Sequence, residues 1–263
     1  MFKSGSQAST IRRVRRGGLL GPGLVAFLCL MLPGIAKADQ INQNLQSIII
    51  ESFEPGPQRH DWYVQGSQFI AAGYPKWTYA NAWPEALFGR NPPNSSNLEV
   101  LGINAAFNQQ GYNHLDIFPV TKNSKGQLVS APIQIPGRLI TLDLWVWGSD
   151  HNFTLDVELE DYNGMMYTLP LGSLDFAGWR DLAVNIPSYI PQSVSTIPQL
   201  RGLKLVKFIV WTQPTSNVSN FYIYLDQIKA LADTYVNRID GQGLANPATV
   251  QQIWSAPGVQ KGQ

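Results

Sequence analysis

Between Phe153 and Glu160 the chain alternates without a break, Phe153, Leu155, Val157 and Leu159 against Thr154, Asp156, Glu158 and Glu160. Successive side chains of a strand point to opposite faces, so this octet has one apolar face and one acidic face. That pattern suits an antiparallel sheet with a core on one side and water on the other. Asp161-Tyr162-Asn163-Gly164 follows as a hairpin turn, with Asn-Gly suited to positive φ. Runs rich in β-branched and aromatic residues predict further strands over 47–53, 62–70, 98–106, 114–120, 139–147, 165–170, 179–186, 203–211 and 221–230. In 139–147 both faces carry apolar residues, which places that strand centrally. No long amphipathic helix competes with these strands. Residues 84–88 and 247–254, each opened by proline at a natural first helical position, read as short helices. The expected fold is an all-β antiparallel β-sandwich of jelly-roll type with few short helices.

The ends of the chain read differently. Lys3, Arg12, Arg13, Arg15 and Arg16 precede an apolar run over 19–32, and Ala36-Lys37-Ala38 supplies a small-residue cleavage pattern. The apolar run is too short to span a bilayer. Residues 1–38 are therefore expected to be a cleaved export signal, residues 39–233 the sandwich and residues 234–263 an extended C-terminal arm. Loss of the signal removes six of the 19 Lys and Arg and none of the 18 Asp and Glu, leaving a net charge of −5. Nucleic acid is a poor partner for such a surface. The one cysteine, Cys29, lies inside the signal without a lipoprotein cleavage box before it, so the mature chain is expected to carry no thiol, no lipid and no membrane segment.

Chemistry-bearing patterns are sparse. His60, His114 and His151 lack metal-ligand spacing, and no G-x-S-x-G elbow or phosphate-cradling glycine loop occurs. Glu158, Glu160 and Asp161 read as a solvated face and turn rather than a glycosidase acid pair. Asp150, Asp156 and Asp161 lack calcium-loop spacing. No catalytic residue, metal or cofactor is assigned. Asp226 shares a strand face with Tyr222 and Tyr224 and is expected to be structural, with a hydrogen-bonding partner close by. Trp62, Trp179 and Trp211 are assigned to the core.

Residues 73–89, "GYPKWTYANAWPEALFG", hold five aromatic rings and two prolines in seventeen residues. The segment is too broken for a core strand, and it is expected to be a loop offering Tyr74, Trp77, Tyr79 and Trp83 to a partner. A loop that folds back to cap an open end of the sandwich is the alternative, above all for Trp83. Trp and Tyr are common interface anchors and also stack on sugars, so composition leaves an assembly surface and a glycan platform both open.

The series "WYVQGSQFIAAGYP", "WPEALFG", "FNQQGYNHLDIFP", "LDLWVWGSDHNFTLDVELEDYNG", "LGSLDFAGWRDLAVNIP" and "LVKFIVWTQP…FYIYLDQIKALAD" resembles the spirochaetal flagellar filament outer-layer (sheath) proteins, the FlaA family. The resemblance covers roughly 47–233. It implies an exported, non-enzymatic subunit of the periplasmic flagellum that coats core flagellins beside other sheath proteins and sets filament stiffness and curvature. A jelly-roll coat protein could also grip flagellin-linked glycan through a sugar-binding-like face, so glycan stays open as a further partner. A secreted carbohydrate-binding module is the alternative.

Overall fold

The computed structural model describes residues 43–194, 199–235, 244 and 247–257; the expected signal segment and much of the expected arm lie outside them. The strands are β1 Leu45–Glu51, β2 Asp61–Gly66, β3 Lys76–Asn81, β4 Glu99–Ala105 and β5 His114–Lys122. The short β6 Leu128–Ser130 and β7 Ile133–Gln134 lead into β8 Arg138–Ser149, β9 Phe153–Glu160, β10 Met166–Ser173 and β11 Ala177–Asn185. After β12 Ser193–Val194 and β13 Gln199–Leu200 come the long β14 Lys204–Thr212 and β15 Phe221–Asp233. Helices α1 Glu85–Phe88 and α2 Pro247–Trp254 match the two proline-led segments.

Two antiparallel sheets form the sandwich. The first, sheet A, runs β11-β8-β15-β4-β3 with β1 also on β15, and the second, sheet B, runs β10-β9-β14-β5-β2 with β6 and β7 at its margin. The expected jelly-roll β-sandwich is what forms. Strands 8 and 15 lie inside sheet A, as the two-sided apolar pattern of 139–147 requires. The core is built from the alternate residues of both sheets, among them Leu142, Leu144 and Val146 of β8, Phe153, Leu155 and Val157 of β9, and Phe221, Ile223 and Leu225 of β15. Trp62 joins it, 5.5 Å from the Phe53 ring and 6.2 Å from the Phe208 ring. Trp179 and Trp211 do not. Both are half-buried on outer faces, Trp179 opposite Trp147 in sheet A and Trp211 against the His114 ring at 5.0 Å in sheet B. An amphipathic indole is well suited to a half-wet sheet face, and that is where the period-2 phase of each strand sends it.

The β9–β10 hairpin corrects another expectation. Glu158 and Glu160 are half-buried on the outer face, with Glu160 paired to Lys204 at 2.8 Å, but Asp161 is only 1% exposed. Its carboxylate accepts hydrogen bonds from the backbone N–H of Asn163 (2.8 Å) and Met165 (3.0 Å) and from the Tyr167 hydroxyl (3.1 Å). Burial alone would push its pKa up, yet these donors outweigh it and hold the carboxyl below its ordinary value. Gly164 supplies the positive φ (82°) that closes the turn. Asp161→Ala therefore leaves buried donors unmet and should cost about 1–3 kcal/mol, read by denaturant unfolding. The contribution is present above the unfolded carboxylate pKa and fades as pH falls through the depressed one. Glu158→Gln should stay within about 0.5 kcal/mol. Equal unfolding of the Asp161 variant and the parent would remove this turn role.

Candidate functional site

The segment 73–89 is not a projecting loop. Its middle is β3, the edge strand of sheet A, paired to β4 from Lys76↔Asn104 to Asn81↔Glu99. Trp77 and Tyr79 lie on the face turned toward sheet B and reach its edge strand β2. The Trp77 indole donates to the Trp62 carbonyl at 3.1 Å and meets the Tyr63 ring edge-on at 5.1 Å. The Tyr79 hydroxyl donates to the His60 carbonyl at 3.1 Å. Arg59 lies over the Tyr79 ring at 4.1 Å while its guanidinium pairs with Glu99 at 2.7 Å. Burial is the main cause that pushes the Tyr79 pKa up to about 12, partly opposed by Arg59, so the phenol remains a donor at any physiological pH. These side chains clasp the two sheets along one open flank. Tyr74 is half-buried beside Lys76, whose ammonium sits 5.2 Å from its ring, and the half-buried Trp83 donates to the Gly89 carbonyl at 2.9 Å. The four aromatics do not converge on one outward surface.

The loop leading into β2 is organised by a residue that the sequence did not single out. Glu51, 3% exposed, accepts from the backbone N–H of Phe53 (2.8 Å) and His60 (2.9 Å), and its Oε2 also lies 2.8 Å from His60 Nδ1. Phe53 takes a left-handed φ of 62°, a conformation paid for by this buried carboxylate and by complete burial of its ring. An acid closing the apolar run Ile48-Ile49-Ile50 was the available signal.

Asp226 is 2% exposed at a β-bulge of β15, where the neighbouring strand changes from β4 to β1. Gln227, at φ 48°, donates its own N–H to the Asp226 carboxylate at 2.8 Å. Burial raises the Asp226 pKa to about 8, with Glu54 adding to the effect and the Gln227 N–H opposing it.

The aromatic surface lies elsewhere. Strand register sets Trp179, Trp147, Tyr224, Gly102 and Thr78 in one row across β11, β8, β15, β4 and β3. All five belong to the outer face of sheet A. The Trp147 and Tyr224 rings meet edge-on at 5.5 Å. Tyr224 lies down over Gly102 so closely that a Cβ there would stand 2.8 Å from its ring. Next to this row, Tyr222, Asn104 and Lys76 form a second one. Between them is a trough of about 260 Å³ lined by Lys76, Thr78, Gly102, Asn104, Tyr222 and Tyr224. Among the described residues no group of three His, Cys, Asp or Glu is arranged to hold a metal ion.

Residues 42–240 match the family model of flagellar filament outer layer protein FlaA. The chain belongs to the FlaA family. A flagellar filament outer layer-like protein of Brachyspira hyodysenteriae is 28% identical over 141 residues, covering 54% of this chain and 61% of that protein. The flagellar filament outer layer protein of Borreliella burgdorferi is 31% identical over 104 residues, 36% of this chain and 30% of that one. The matched parts thus span less than two thirds of either relative. Among solved structures, the family 11 carbohydrate-binding module of a Clostridium thermocellum cellulosomal cellulase aligns with 74% of this chain and 99% of its own, at 9% identity and a TM-score of 0.39.

Proposed function

We propose that this FlaA chain is an exported subunit of the outer layer of the spirochaetal periplasmic flagellar filament, where it coats the flagellin core and contributes to filament stiffness, curvature and motility. The observation that carries the reading is the family match over 42–240, which takes in every strand of the sandwich. The physical design agrees with it. Long antiparallel strands and a clasped flank make a stiff unit, and a paved aromatic face offers adhesive area outside the core. The proposed role needs no catalysis, metal or cofactor, and its partners are core flagellins and other sheath subunits. A carbohydrate-binding module without catalytic activity is the second reading, favoured by the trough on sheet A.

Two measurements test the proposal. Antibody to this chain should stain purified periplasmic flagella and lose that signal when the outer layer is stripped from the core. Recovery of the chain in the free periplasmic pool, with none on filaments, would overturn it. The intact mass of the native protein should begin at Asp39, after Ala36-Lys37-Ala38, without acylation. A lipid on Cys29 would place the chain on a membrane instead.

A further inference from the structure

We infer that the trough on the outer face of sheet A is a saccharide-binding site, taking one ring of a glycan displayed on the filament core. The inference rests on the outer-layer reading for where the sugar is met, and on the lining of the trough for its chemistry. A sugar ring has an apolar C–H face and a rim of hydroxyls, so it needs a flat aromatic surface beside donors and acceptors. Tyr224 supplies the flat surface. It is laid along the sheet by the edge of Trp147 on one side and by the missing side chain of Gly102 beneath. Tyr222, 42% exposed, offers a second ring one row away. The rim carries the Thr78 hydroxyl, the Asn104 amide and the Lys76 ammonium, and no carboxylate lines the trough. That set can both donate to and accept from hydroxyls.

Size separates a sugar from a protein partner. Stable protein interfaces bury about 800 Å² on each side around several anchors. Here the Tyr222 and Tyr224 rings share one trough of about 260 Å³. That is below the range of about 300–1,000 Å³ typical of sites that enclose a whole small molecule. A single ring of a longer or tethered glycan fits this scale, with the remainder outside.

The test uses filament cores stripped of their outer layer, intact or oxidised with periodate, which cleaves vicinal diols of sugars. Purified mature protein should sediment with intact cores and lose at least tenfold in affinity for oxidised ones. Tyr222→Ala and Asn104→Ala, which change side chains outside the core, should give a comparable loss on intact cores while melting like the parent. Equal binding to both cores would overturn the saccharide site and leave the outer-layer reading standing. Periodate-sensitive binding that ignores both substitutions would overturn the assignment to this trough. No binding to either core by a normally folded protein would overturn the outer-layer reading and the site together.

Discussion

Asp226→Asn should be more stable than the parent at pH 8 and nearly equal to it at pH 4. The parent carboxyl has its pKa raised by burial from an ordinary 3.8 to about 8. Between those values the folded chain holds a proton that the unfolded chain has released. Stability then falls with rising pH, because the slope follows the difference in bound protons and the native state binds more. The favourable part is complete below about pH 4, declines through the window and is gone above about pH 8. A shift of this size corresponds to at most about 6 kcal/mol. Asparagine keeps an oxygen to accept the Gln227 N–H but has no charge to bury. Asp156 and Asp181, also raised by burial, and Asp161, held low, titrate in both proteins, so the difference between the two curves isolates residue 226. Denaturant unfolding at several pH values measures it. Parallel curves would mean that the carboxylate is solvated or paired in the folded protein. The sequence-based expectation of a structural carboxylate with a nearby partner holds only in that the partner is its neighbour's backbone; Asp226→Ala would mix loss of that contact with relief from burying charge, which is why the isosteric change is the cleaner measurement.

Legibility followed the length over which a pattern persists. β9 carries four full alternations and is found at the residues predicted, and the proline-led α2 is equally clear. β3 has only six residues, of which Trp77 and Tyr79 face inward while Lys76, Thr78 and Ala80 face out. The alternation is present, but Pro75 before it and Pro84 after it make the stretch read as loop. An edge strand needs only one paired side, so flanking prolines are tolerated. The row from Trp179 through Trp147 and Tyr224 to Gly102 was beyond a linear reading for another reason. Its members come from four strands, and only the register brings them level. Asp161 looked like its acidic neighbours because it directly follows them. What distinguishes it is the turn, whose N–H groups point back at it.

Replacing Trp77 and Tyr79 together by alanine should lower stability by about 3–5 kcal/mol and bring early melting, before any question of filament incorporation arises. This reverses the outcome expected from an exposed contact loop, a folded monomer that fails to assemble. The reversal has a geometric cause. Trp77 is 36% exposed, yet its indole N–H is bonded across to the Trp62 carbonyl and its ring abuts Tyr63. Tyr79 holds the His60 carbonyl and supports Arg59, which pairs with Glu99. Truncation removes ring packing from the flank where β2 and β3, the edges of opposite sheets, are joined, and it strips both carbonyls of a donor. The double variant should lose less than the sum of the two single losses if the clasp acts as one unit, because each single change already breaks the shared network. Single and double variants compared by thermal melting give that coupling directly. A double variant that melts with the parent would show the flank to be closed by the backbone ladders alone, and would return Trp77 and Tyr79 to the assembly surface.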